Sequence, residues 1–242
     1  MLPVLILQHL ASDGPGFLAS WLQQQGQAFE RRCTEAGEDF PARLDGFAAL
    51  AVLGGEWSAN DERPSLRQAE ALIREAVGRG LPVIGHCLGG QLMSRALGST
   101  VGPSPEPERG WHEVAPLAAR ANVDEARAWL GDAGPVRLFQ WHSESFGLPP
   151  GARLLAGNAA CPHQAWSLGP HLAMQFHVEV DEAKLEHWFD DAEQWPWAAG
   201  RGRPTVHEAE RMRRETAAAL PASQALAARI YARWLASAAA RG

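Results

Sequence analysis

The chain has few cysteines, a single lysine, no long apolar run and no excess of positive charge, and each shortage removes a class of function. Its three cysteines, Cys33, Cys87 and Cys161, have no metal-ligand pair spacing, and an odd, sparse count argues against a disulfide framework. No N-terminal stretch reads as a secretory signal, so a reducing cytoplasm is the expected location. The longest apolar runs are too short to span a bilayer, so no membrane partner is expected. A formal charge of −6 and a pI near 5.8 leave no basic surface for phosphates, which sets nucleic acid aside as a partner. The arginines near the C-terminus (Arg201, Arg203, Arg211, Arg213, Arg214) alternate with Glu208, Glu210 and Glu215, as on a solvated helix. Lys184, the only lysine, lies in no Gly-rich phosphate-binding loop, so no ATP-dependent synthetase activity is expected of this chain. What is present is 242 residues with 46% hydrophobic content, enough for one α/β core.

The most informative stretch is Leu81 to Gln91. Leu81, Val83 and Ile84 predict a buried strand that runs into Gly85-His86-Cys87-Leu88-Gly89-Gly90-Gln91, after which Leu92, Met93, Ala96 and Leu97 recur at helical spacing. A strained, Gly-flanked turn between strand and helix is what a nucleophile elbow requires, and Cys87 is its central side chain. A lone cysteine is most often one more buried small residue. The glycines at 85, 89 and 90, with a strand before and a helix after, reverse that reading. A free thiol is mostly protonated at neutral pH, and the unpaired N–H groups at a helix N-terminus favour its anion.

Around the elbow the pattern is that of a parallel sheet with helices on both faces. Val4 to Gln8 is a strand, Phe17 to Gln25 an amphipathic helix, a second strand starts at Phe29, and Phe47 to Leu53 is a buried strand ending in Gly54-Gly55. Ser65 to Val77 is a helix. Val101 to Arg109 is rich in proline and reads as loop, Gly110 to Val114 as a strand on which His112 takes a packing or surface role, and Val123 to Leu130 as a short helix. Val136 to Trp141 reads as a strand that ends at the polar group His142 to Phe146. Leu154-Leu155 and Cys161 to Trp166 are further short segments. Leu172 to Val180 reads as one strand, and residues two apart on a strand face the same side. His177 and Glu179 are therefore neighbours, with Phe176 and Val178 facing away. A carboxylate beside an imidazole fixes its tautomer and stabilises the imidazolium. Beyond it come a helix from Glu182 to Asp190, a turn-rich break from Trp195 to Pro204, and two amphipathic helices, Thr205 to Leu220 and Ser223 to Leu235.

Several of these segments together resemble the class I (triad) glutamine amidotransferase family, in its stand-alone, guanylate-synthase-like branch. The resemblance rests on the elbow, on Leu53-Gly54-Gly55 and on Gln175-Phe176-His177-Val178-Glu179-Val180, supported by Gln8-His9, Pro15-Gly16, Ser58 to Asp61, Gly110-Trp111 and the run Trp141 to Gly151. It implies a doubly wound, mostly parallel α/β fold with a catalytic domain over residues 1–185 and a helical C-terminal extension over 186–242 that packs on the domain. It implies that Cys87 attacks the glutamine side-chain amide, that His177 relays protons, and that Glu179 orients His177. The backbone N–H groups of Gly55 and Leu88 would form an oxyanion hole, and Gln91, Ser143 and Glu144 would hold the substrate head group. No cofactor and no metal is implied. The ammonia released would go free or to an acceptor on a separate synthetase chain.

Two other readings compete. A γ-glutamyl hydrolase would use the same three residues on a γ-glutamyl amine or peptide, and a non-catalytic regulatory relative would keep the fold without turnover. The intact Cys87, His177 and Glu179 argue against the last. If the resemblance holds, Cys87→Ala abolishes turnover while leaving the fold intact, His177→Asn costs nearly as much, and Glu179→Gln costs less. Ammonia and glutamate release, measured beside circular dichroism of each variant, checks the order.

Overall fold

The computed structural model describes residues 2–117, 122–132, 134–191 and 202–239. In chain order the elements are β1 (Val4–Gln8), α1 (Gly16–Gln24), β2 (Phe29–Cys33), β3 (Ala49–Val52), α2 (Pro64–Arg79), β4 (Val83–His86), α3 (Leu88–Ala96), β5 (Val101–Pro116), α4 (Val123–Leu130), β6 (Val136–Phe146), β7 (Arg153–Gly157), β8 (Ala165–Leu168), β9 (His171–Met174), α5 (Glu182–Asp191) and α6 (Ala209–Ala239). The strands form one sheet in the order β2-β1-β3-β4-β9-β8-β7-β5-β6. Pairing is parallel from β2 to β9 and antiparallel from β9 to β6.

Every residue of β1, β3 and β4 is buried, as expected for parallel strands covered on both faces. Their alternation divides the core in two. Val4 and Ile6 face one layer with Leu18 and Leu22 of α1 and Ile230 and Trp234 of α6. Leu5 and Leu7 face the other, with Leu66, Leu72 and Ile73 of α2 and Leu92 of α3. A smaller cluster joins Trp111 and Phe139 of the β5–β6 hairpin to Leu185 and Phe189 of α5 and Met212 and Leu220 of α6.

Four local expectations are corrected. Val101 to Arg109 is strand rather than loop. Val101, Gly102 and Pro103 pair with Phe146, Ser145 and Glu144, then the register shifts before Glu108 pairs with His142. Pro105 and Pro107 fall inside that irregularity, where proline removes no ladder hydrogen bond. Pairing with β5 likewise carries β6 through His142 to Phe146, so the polar group lies within a strand. In the His-x-Glu stretch the ladder stops at Met174, and His177 returns as an isolated bridge whose N–H donates to the Phe139 carbonyl at 2.9 Å. The expected alternation persists beyond the ladder, with Phe176 and Val178 in the core.

The fourth correction concerns the tail. The two expected helices form one helix of 31 residues with Pro221 inside it. A proline there costs a hydrogen bond, but Met212, Ala219 and Leu220 before it and Leu226, Ile230 and Trp234 after it are all buried, which holds the halves in line. The break expected over Trp195 to Pro204 lies mostly outside the described residues; Gly202, Arg203 and Pro204 are irregular.

The glycines at the start of α3 let the helix dock directly on the sheet. A Cβ on Gly89 would sit 2.1 Å from the carbonyl oxygen of Val52, and one on Gly85 would sit 2.7 Å from the backbone of Gly89. Gly89→Ala should therefore destabilise by about 2–3 kcal/mol and lower the melting temperature by about 5–10 °C. Gly78→Ala, in open space near the end of α2, should be neutral or slightly stabilising. Thermal unfolding of the two variants beside wild type tests the contrast.

Candidate active site

At the end of β4 the chain turns through Cys87 into α3. Cys87 has φ +49° and ψ −110°, and it is the only non-glycine residue with positive φ among the described residues. Such a conformation costs on the order of 1–3 kcal/mol and persists only where its surroundings over-determine it. Here the Cys87 N–H donates to the Met174 carbonyl at 2.8 Å and its carbonyl accepts from the Gln91 N–H at 3.0 Å, tying the turn to β9 and to α3. The thiol lies 3.4 Å from the Gln175 side-chain amide nitrogen and 3.8 Å from the Trp141 carbonyl.

His177 reaches the thiol from the segment after β9. Its ring and the Cys87 side chain line the same compartment, and its Nδ1 is 2.6 Å from Oε1 of Glu179. Gly54 fits between them, since a Cβ there would come within 3.0 Å of the His177 ring, 2.9 Å of an Asp13 carboxylate oxygen and 3.7 Å of the Cys87 Cβ. The rings of Trp188 and His177 pack in a T-shaped pair with centroids 4.8 Å apart.

Glu179 is wholly buried. Burial works against its charge, but Lys184 and then His177 pull its carboxyl well below the usual carboxylate range. Lys184 Nζ is 3.1 Å from Glu179 Oε1, donates to the Gly14 carbonyl at 2.9 Å and pairs with Asp13. It also lies 4.8 Å from the centroid of the Trp188 ring. His86, beside the thiol in sequence, approaches Glu179 Oε2 at 4.0 Å from the other side and meets the hydroxyl of Tyr231 at 3.3 Å. Burial pushes His86 down to about 4, so it is neutral at neutral pH and the charges that balance Glu179 are those of Lys184 and His177. For His177, burial is outweighed by Glu179 and then Cys87, which raise it to about 10.

Two compartments open on either side of the thiol and share Gly55, Glu56, Cys87 and Trp141 as walls. The larger, of about 960 Å³ and open to solvent, is lined by Leu88, Gln91, Ser143 and Glu144. Gln91 Nε2 donates to the Glu144 carbonyl at 3.1 Å and to Gln175 Oε1 at 3.3 Å, wiring α3 to β6. The smaller, of about 500 Å³, is walled by Leu10, Ser12, Asp13, Trp141, His177 and Trp188. Of the expected site residues, Gly55, Cys87, Leu88, Gln91, Ser143, Glu144 and His177 line these compartments, and Glu179 lies buried behind His177. Asp13, His86, Trp141, Lys184 and Trp188 join them without a role expected from the sequence. Lys184, the only lysine and five residues past Glu179, is the one visible signal among these.

A second Glu-His-Cys group adjoins this site, its His142 lining the larger compartment. Glu108, His142 and Cys161 are buried with donor atoms within 4.8 Å of one another, an arrangement that could hold a metal. Its donors are already engaged: Glu108 accepts from Asn158 at 2.6 Å and Gln164 at 2.7 Å and lies 3.2 Å from His142 Nε2, while burial raises the Cys161 thiol to about 12. These contacts tie the irregular start of β5 to β6 and to the loop before β8. His112 stacks on His207 with centroids 4.3 Å apart, the packing role expected of it.

A strained turn at the carboxyl end of a parallel strand, presenting a thiol to an imidazole, places the chain among α/β proteins built on a nucleophile elbow. Comparison with known proteins narrows this. The family model for glutamine amidotransferase class-I matches residues 32–191. The glutamine amidotransferase-like protein YfeJ of Salmonella typhimurium is 31% identical over 189 residues, covering 74% of this chain and 78% of that protein. A glutamine-hydrolyzing GMP synthase subunit of Thermococcus kodakarensis is 35% identical over 151 residues, covering 61% and 76%. The crystal structure of a glutamine amidotransferase from Methylobacillus flagellatus superposes with a TM-score of 0.91 at 34% identity, covering 98% of this chain and 95% of its own. The matched region spans only 24% of the full-length GMP synthase of Bordetella parapertussis. The chain belongs to the class I glutamine amidotransferase family, and that membership supports hydrolysis of the glutamine side-chain amide.

The raised pKa of His177 makes a prediction about stability. The folded protein holds a proton there up to about pH 10, whereas an unfolded histidine releases it near 6.5. The contribution is full below about pH 6.5 and is lost as pH rises to about 10, because over that window the folded state binds more protons. Wild type should lose stability across this window more steeply than His177→Asn. Urea unfolding at about pH 6, 8 and 10 measures the difference.

Proposed function

We propose that Cys87, His177 and Glu179 form a catalytic triad that hydrolyses the glutamine side-chain amide through a γ-glutamyl thioester. The observation that carries the reading is the His177 ring, which shares a compartment wall with the Cys87 thiol on one side and meets a buried carboxylate at 2.6 Å on the other. The Cys87 sulfur attacks the side-chain carbonyl carbon, and the oxyanion that forms lies toward Gly55 and Leu88. Both residues line the cleft beside the thiol, and their backbone N–H groups are the proposed donors. The C–N bond breaks as His177 passes its proton to the nitrogen, and ammonia leaves. Water, deprotonated by His177, then attacks the thioester, the C–S bond breaks, and glutamate is released.

The larger compartment suits the glutamyl group, with Gln91, Ser143 and Glu144 beside its polar ends. We place the protein in a reducing cytoplasm, supported by three cysteines that are all free thiols. The helical extension over 186–242 serves the domain rather than a partner, since α6 spends its apolar stripe on the sheet core. The relatives named as glutamine-hydrolyzing GMP synthase subunits support a separate synthetase as the recipient of ammonia.

One feature favours a second reading, a γ-glutamyl amide whose amine is larger than ammonia. The compartment walled by Leu10, Trp141 and Trp188 has room and apolar surface that ammonia does not need.

Incubation of the purified protein with L-glutamine, followed by intact mass spectrometry after acid quench, tests the thioester. A γ-glutamyl adduct on wild type and none on Cys87→Ala is the expected result. Glutamine turnover with no dependence on Cys87 would overturn the mechanism. Turnover of N-alkyl or N-aryl γ-glutamyl amides with none of glutamine would select the second reading.

A further inference from the structure

We propose that Lys184 is a positioning residue for this reaction, held by Asp13 on one side so that on the other it fixes Glu179 against His177 and keeps that carboxylate charged. The proposal rests on the reading of Cys87, His177 and Glu179 as the working groups, and it concerns a layer behind them. Lys184 lines neither substrate compartment, so any effect it has on the thiol must pass through Glu179.

The geometry is specific. A single carboxylate oxygen, Glu179 Oε1, takes both His177 Nδ1 at 2.6 Å and Lys184 Nζ at 3.1 Å. The titratable groups facing Glu179 can be named among the described residues. His177 comes from its own segment, Lys184 from α5, neutral His86 from β4 and Tyr231 from α6, while Asp13 in the β1–α1 connection reaches it only through Lys184. Its backbone is fixed too, the Glu179 carbonyl accepting from the Phe17 N–H at 2.8 Å. Asp13 and Glu179 carry two negative charges, Lys184 and His177 two positive ones, so the buried set is neutral only while the lysine is present. Without it the charged form of Glu179 would face Asp13 with one cation between two carboxylates, and protonation of Glu179 would relieve the imbalance. A protonated Glu179 no longer stabilises the imidazolium.

Burial alone would lower the lysine's proton affinity, yet Asp13 and then Glu179 raise it above its ordinary range. It therefore stays charged throughout the working pH range. A lysine that served only to fill space would need neither carboxylate.

The test uses two readouts on the full chain: the pH profile of kcat for glutamine, and the pH profile of Cys87 alkylation by iodoacetamide, located by peptide mass spectrometry. The second does not depend on which amide is the substrate. Lys184→Met should lower kcat by about ten- to a hundredfold with KM within about twofold, short of the about 10⁴-fold loss that follows removal of a triad acid's function. The acid limb of both profiles should move up by about one pH unit, a tenfold shift in proton concentration. Lys184→Arg, which keeps the charge, should return the acid limb toward wild type. Because Lys184→Met leaves two buried carboxylates with too few partners and can fail to fold, Asp13→Asn/Lys184→Met removes one charge of each sign and restores balance. With balance restored the acid limb should return toward wild type while kcat stays lowered, because Glu179 Oε1 has lost its second donor; wild-type kcat in the folded double variant overturns the proposal. A wild-type acid limb in a folded Lys184→Met protein overturns it equally. Wild type that neither turns over an amide nor labels at Cys87 would instead overturn the triad reading underneath.

Discussion

A carboxylate with no exposure to solvent is the constraint around which this molecule is arranged. Glu179 cannot stay charged in the interior unless cations are brought to it, and the cations beside it, His177 and Lys184, come from different parts of the chain. The segment after β9 supplies one, α5 the other, and the β1–α1 connection supplies Asp13 to anchor the lysine. The turn at Cys87 then needs only to deliver a sulfur to the free side of the imidazole. The parallel half of the sheet is the frame that brings the end of β1, the end of β4 and the segment beyond β9 to one edge.

The strain at Cys87 belongs to the same arrangement. Its positive φ is held by a hydrogen bond to Met174, the last residue of β9. The chain goes on three residues from there to His177. Thiol and imidazole are thus referenced to one point on one strand, and the glycines that let α3 sit against Val52 and Met174 are part of the same fit. Rigidity at this point counts because a misplacement of about 1 Å can cost a hundredfold in rate.

Much of this is legible in the sequence, and what is not has a common physical cause. The elbow can be read because its signals are local: an apolar run, three glycines and a helical repeat close together in the chain. His177 and Glu179 can be read because a period of two survives even though the ladder ends at Met174. Val101 to Arg109 reads wrongly as loop because its strand character comes from β6, far downstream, with prolines gathered where the register slips. The single helix α6 reads as two because proline is a local stop signal, whereas the burial that overrides it comes from the sheet and α5. Lys184 stands out in the sequence only by being alone, since a lysine near the start of a helix is ordinarily solvated, and only the fold turns it toward two carboxylates.

Tyr231 gives helix α6 a bearing on chemistry that its place in the chain does not suggest. It sits on a helix that closes one face of the sheet, with its hydroxyl against His86, the residue just before Cys87. During synthesis the wall behind the elbow therefore leaves the ribosome well after both Cys87 and His177. The order of synthesis alone keeps the complete site from assembling before α6 has emerged.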